Sequence, residues 1–137
     1  MFSIDIMSRQ PIYEQIIEQL ERYILSDLLK PGDQLPSVRE MSVRLSINPN
    51  TIQKAYSELD HRGILSSVPG RGCFISENAV PILSEMRRKD IEKLEDLVYN
   101  LALAGVEKEK TISIVEKAYE NIRGQSTNGK DGNHDKG

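Results

Sequence analysis

A mainly α-helical fold carrying one small β-hairpin is what this sequence predicts, and three observations predict it. Apolar residues recur at helical spacing along most of the chain. A Ser-x-x-Glu signal and an Asn-Pro signal start two short helices only a few residues apart. A Pro-Gly-Arg-Gly turn then joins two short β-prone runs. With 137 residues, the chain has room for one compact domain of roughly 75–80 residues and a simple second element.

The first helix is predicted over about residues 11–29. Pro11 suits a first helical turn, and Ile12, Ile16, Leu20, Ile24 and Leu28 follow on one face. Lys30-Pro31-Gly32-Asp33 ends it, because the residue before proline disfavours helix and glycine turns cheaply. Ser37 and Glu40 have capping-box spacing and open a second helix over 38–45, with Val38, Met41 and Leu45 facing inward. Asn48 is the expected N-cap of a third helix with Pro49 at its first position. That helix buries Ile52, Ala55, Tyr56 and Leu59, ends at Gly63, and leaves Asn50, Thr51, Gln53, Lys54 and Ser57 on other faces.

Ile64–Val68 and Cys73–Ser76 form the hairpin, with Pro69-Gly70 in a type II turn and Arg71 at the tip. The order of helices two and three and the hairpin is that of a winged helix-turn-helix. A fourth helix is expected from Ala79 to about Ala104, with a seam at Ile91, Leu94, Val98 and Leu101, and Gly105-Val106 breaks it. A fifth, over about 107–123, carries Ile112, Val115, Tyr119 and Ile122. From Gly124 the sequence is too polar to bury anything and reads as a disordered tail. The expected organisation is thus a winged helix-turn-helix over 1–77, a two-helix dimerisation element over 78–123, and a tail over 124–137.

The formal net charge of −3 argues by itself against nucleic acid, but its distribution does not. Residues 36–76 carry Arg39, Arg44, Lys54, Arg62 and Arg71 against Glu40, Glu58 and Asp60, so the only net-basic stretch coincides with the helix-turn-helix and the hairpin. No apolar run is long enough for a membrane span and no export signal opens the chain, which predicts a soluble cytoplasmic protein. The single cysteine, Cys73, and the separated His61 and His134 offer neither a disulfide nor metal-ligand spacing. No nucleophile, paired-carboxylate or phosphate-loop constellation is present, so an enzyme is not expected, and neither is a cofactor.

The chain resembles the GntR family of bacterial regulators, in its short YtrA-like branch. The residues that carry the resemblance run in order: Pro11-Ile12-Tyr13-Glu14-Gln15-Ile16, then Leu29 through Glu40, then Asn48 through Tyr56, then Leu59 and Gly63, then Gly70-Arg71-Gly72 before Phe74-Ile75. The resemblance implies a homodimeric transcription regulator that binds double-stranded operator DNA, with the third helix in the major groove. It further implies repression of its own operon, in which an ABC-type transporter is often encoded. Arg39 matches the family's DNA-contacting arginine, Asn50, Thr51 and Gln53 fall on its recognition helix, and Gly70 with Arg71 matches its wing. Pro49 and Gln53 stand where some longer relatives have arginines, so base preferences do not transfer.

Physical chemistry supports several of these roles. Arg39 lies beside a helix N-terminus, whose dipole disfavours a cation and leaves it to seek phosphate or a guanine edge. Asn50 and Gln53 have the amide chemistry that pairs with adenine, whereas Thr51 and Lys54 suit phosphate. Arg71, between Gly70 and Gly72, is placed to approach a narrow minor groove. With Ser37 at the start of the second helix, these complete the candidate DNA-binding set. The candidate dimer interface is Ile91, Leu94, Val98, Leu101, Ile112, Val115, Tyr119 and Ile122. Tyr13, Tyr23 and Tyr56 are expected in the core, Cys73 as a structural residue and His61 at the surface. The alternatives are a winged helix used for protein contact, which would call for an apolar recognition face, and a ligand-responsive switch, for which two short helices leave little room.

Overall fold

The computed structural model describes residues 2–122. It comprises α1 (Ile12–Leu25), β1 (Gln34–Leu35), α2 (Val38–Leu45), α3 (Pro49–His61), β2 (Leu65–Val68), β3 (Gly72–Ile75), α4 (Ala79–Arg88), α5 (Asp90–Leu103) and α6 (Lys108–Lys136). The polar tail expected from residue 124 lies outside the described residues. The chain divides into two compact units, Met1–Arg88 and Lys89–Gly137.

In the first unit, Ile16, Leu20 and Ile24 of α1 meet Ile52, Ala55 and Leu59 of α3, and Met41 of α2 closes the core. Ile64, Leu65 and Ile75 bring the strands onto it. These residues are at most 3% exposed, as the helical periodicity requires of a face that packs against neighbours. The sheet is antiparallel with order β1-β3-β2. Leu65 opposes Ile75 and Val68 opposes Gly72, as the expected hairpin demands. The hairpin gains a third strand that periodicity could not reveal: Gln34–Leu35 is two residues long and pairs with Phe74 and Cys73.

Two helix boundaries differ from expectation. The first helix stops at Leu25 rather than near residue 29, so Leu28 leaves the apolar stripe and is 66% exposed. Its end is set by Asp27, whose φ of 67° is left-handed, while the N–H groups of Asp27 and Leu28 donate to the Ile24 and Tyr23 carbonyls. That is the Schellman arrangement, and α2, α3 and α5 finish in the same way at Ser46, Gly63 and Gly105. The helix expected from 79 to 104 is two helices, with the ladder interrupted at Lys89. Ala79 and Leu83 of α4 are fully buried in the first-unit core, so that unit runs to Arg88 and not to residue 77.

Polar groups complete the first unit. Gln15 and Gln19 hold the N-terminal segment against α1: each side-chain oxygen accepts from a backbone N–H, of Asp5 and Ser3 respectively, and each amide donates to the carbonyl of the same residue. Four residues of helix rise about 6 Å and two of extended chain about 6.6 Å, which is why glutamines four apart serve residues two apart. Glu21, 3% exposed, accepts from Arg62 (3.2 Å) and from Arg87, joining α1 to the end of α3 and to α4. Nothing in the local sequence marked this buried carboxylate.

The second unit contains α5 and α6, and α5 has no buried residue. Among the described residues no helix is long and apolar enough to cross a membrane.

Candidate nucleic-acid interface

The candidate interface is organised by Gln34, Pro36 and Ser37, in the short segment that enters α2. Ser37 accepts the Glu40 N–H through its hydroxyl (3.1 Å) and so starts α2, which places Arg39 at the second helical position. The other half of the expected capping box is not made, because the Glu40 carboxylate pairs with Arg44 (3.6 Å). Pro36 offers its carbonyl to the Tyr56 hydroxyl (2.8 Å), which ties α3 to the start of α2. Gln34 donates its amide to the Arg71 carbonyl (3.0 Å), which ties the hairpin tip to the same segment. Three separate elements are thereby held on one stretch of chain.

Asn48 caps α3, accepting the Asn50 N–H on its side chain (2.8 Å), with Pro49 at the first position as expected. Asn50, Gln53 and Lys54 are exposed on the first turns of α3 and Thr51 is half-buried. Gln53 donates to the Ser57 hydroxyl (2.8 Å), so its amide is oriented along the helix with its oxygen left for an outside donor. Tyr56 is 5% exposed, the core residue it was expected to be, and burial pushes its phenol above its ordinary pKa.

Tyr13 is partly buried and packs against the edge of the core, and the Lys54 ammonium lies 4.0 Å from its ring centroid. Its hydroxyl donates to Glu14 (3.2 Å), and that bond is the largest cause raising its pKa. Pro11, just before α1, and Ile12 and Tyr13 in its first turn face Asn50, Thr51 and Lys54 from α3 across an open groove. Tyr23 is half-buried and meets Phe2 edge-on at 5.6 Å.

At the hairpin, the Arg71 N–H donates to the Val68 carbonyl (2.9 Å) and Gly70 has φ 77°, the geometry of the expected Pro-Gly turn. Gly72 has φ 120°, and a Cβ there would meet the Gln34 amide nitrogen at 2.6 Å. Arg71 is exposed. Cys73 is partly buried within β3, and burial pushes its thiol up, away from the reactive thiolate. His61 is exposed, and groups of His, Cys, Asp or Glu able to hold a metal ion are absent among the described residues.

The cations of residues 36–76 now separate. Arg44 pairs with Glu40, and Arg62 with Glu21 and Glu58, whereas Lys54 rests on an aromatic face. Among the described residues the guanidinium groups of Arg39 and Arg71 have no ion pair or hydrogen bond. The contact of Tyr13 with Lys54, the reach of Gln34 to the hairpin tip and the pairing of Arg62 with Glu21 left no signal in the local sequence.

A short helix pair, an exposed polar turn on the second helix and a hairpin beside it define a winged helix-turn-helix protein. The chain belongs to the GntR family of bacterial regulatory proteins, whose family model matches residues 12–75. It is 43% identical to the HTH-type transcriptional repressor YtrA of Bacillus subtilis over 129 residues, which span 93% of this chain and 99% of that protein. Among solved structures, a transcriptional regulator from Oenococcus oeni superposes with a TM-score of 0.67 at 31% identity, covering 87% of this chain and 99% of that one. A GntR family regulator from Listeria monocytogenes gives 0.66 at 34% identity, covering 80% and 96%. The chain is therefore a transcription regulator with a winged-helix DNA-binding domain.

Proposed function

We propose that the chain is a homodimeric repressor that sets α3 in the major groove of its operator and reaches the flanking minor groove with Arg71. The observation that carries this reading is the separation of the cations: Arg39 at the start of α2 and Arg71 at the hairpin tip are the guanidinium groups of residues 36–76 that no carboxylate neutralises among the described residues. An unpaired guanidinium beside an exposed Asn-Thr-x-Gln turn suits phosphate and base edges, and the polar face of α3 offers little to an apolar protein partner.

Dimerisation rests on α5 and α6. The residues selected from the sequence, Ile91, Leu94, Val98, Leu101, Ile112, Val115, Tyr119 and Ile122, are 37–65% exposed in the single chain. Leu97 and Ile114, not selected, are 61% and 54% exposed. So much apolar side chain on two helices calls for a second copy to cover it. Two symmetric recognition helices would then meet half-sites about 10 base pairs apart. The similarity to a named repressor supports repression, and the family resemblance extends the proposal to the chain's own operon and an ABC-type transporter within it.

Footprinting across the region upstream of the chain's own gene tests the reading. A protected, two-fold symmetric site is expected, with twice the monomer mass in light scattering. A clean monomer that still bound the site tightly would remove the dimer from the proposal, and the absence of any protected site would remove autoregulation.

A further inference from the structure

The groove between the first turns of α1 and α3 holds an arrangement that the recognition-helix reading does not use. Lys54 projects from α3, yet its ammonium sits over the Tyr13 ring on α1 at 4.0 Å, and Thr51 lines the same groove. A free lysine has several rotatable bonds, and fixing it on a phosphate costs conformational entropy. The ring holds the cation by its quadrupole, which leaves ammonium N–H groups directed away from it to donate elsewhere. No carboxylate lies within salt-bridge distance of Lys54 among the described residues, unlike Arg44 and Arg62. The Tyr13 hydroxyl is turned to Glu14, so its ring face is the part offered to Lys54.

We propose that Tyr13 is a positioning residue for DNA: its ring presets Lys54 at the mouth of the α1–α3 groove, where Lys54 and Thr51 take a backbone phosphate. The proposal rests on the reading of α3 as the DNA-facing helix. It assigns α1 a part in DNA affinity that is independent of base sequence.

The test is a double-mutant cycle on the full chain, with a labelled duplex from the upstream region and a random-sequence duplex of equal length, over a salt series. K54Q weakens binding to both duplexes and lowers the log K against log salt slope by about one per subunit. Y13L weakens both by about two- to five-fold per subunit, the worth of an exposed cation–π contact. Y13F, which keeps the ring, binds as the wild type, and Y13L adds nothing in the K54Q background. If Y13L does not fold at the assay temperature, Y13M replaces it. The proposal is overturned if the Tyr13 variant weakens K54Q as much as it weakens the wild type, if Y13F is as weak as Y13L, or if K54Q changes neither affinity nor slope. In that last case, weakened R39A and N50A proteins would leave the operator reading standing. Unweakened ones would take it down as well.

Discussion

The hydroxyl of Tyr56 donates to the carbonyl of Pro36 at 2.8 Å, joining the recognition helix to the residue just before the cap of α2. Removing the hydroxyl leaves a part-buried carbonyl without its partner. Tyr56→Phe is therefore expected to lower stability by about 1 kcal/mol in denaturant titration. The same site carries a pH dependence. Because burial raises the folded-state pKa of this phenol, its contribution is fully present below the unfolded pKa of about 10 and is lost as pH rises above it. The wild type should lose stability faster than Tyr56→Phe above that pH, and parallel alkaline titrations would refute the linkage.

Three arginines within residues 36–76 are expected to differ in kind. Arg39→Ala should weaken operator binding by about 1–3 kcal/mol. Arg71→Ala should weaken specific and non-specific binding alike and lower the salt slope by about one unit per subunit, with little change in melting temperature. Arg44→Ala should do neither, since its partner is the exposed Glu40 one turn away and such pairs contribute little. Equal effects of Arg39→Ala and Arg44→Ala would show that internal pairing does not sort DNA contacts from bystanders.

The two hairpin glycines should also separate. Gly70→Ala meets open space and only strains a left-handed backbone, whereas Gly72→Ala drives a methyl into the Gln34 amide that holds the Arg71 carbonyl. The expected result is a small loss of operator affinity for Gly70→Ala and a larger one for Gly72→Ala, measured by anisotropy on one duplex. The reverse order would dismiss Gln34 as an anchor of the wing.

Helix ends offer gains in stability. Asp27 and Ser46 occupy left-handed positions at φ 67° and 55° where α3 and α5 use glycine. Ser46→Gly is expected to stabilise the chain by about 0.5–1 kcal/mol, and Asp27→Gly by less, because a short polar side chain tolerates that region. A lower melting temperature for Ser46→Gly would show that the added freedom of the unfolded chain outweighs the relieved strain.

Much of this protein was legible because its signals are local. Ser37 and Asn48-Pro49 start helices through bonds to residues two or three positions on, Gly63 ends one with its own N–H, and Pro69-Gly70 closes a turn within four residues. The helix-turn-helix, its exposed Asn-Thr-x-Gln turn and the wing arginine follow from such short-range geometry. Interactions between distant residues decided the rest. Gln34 reaches a carbonyl 37 positions away, and Glu21 reaches arginines 41 and 66 positions away. These bonds determine which cations of residues 36–76 are paired inside the fold and which keep an unpaired guanidinium among the described residues. A similar long-range contact sets Lys54 over the ring of Tyr13 at the edge of the core. The end of α1 at Asp27 and the assignment of α4 to the first unit were likewise invisible in the apolar pattern. Periodicity shows which face of a helix is apolar, but where that face finds a partner depends on packing between elements far apart in the chain.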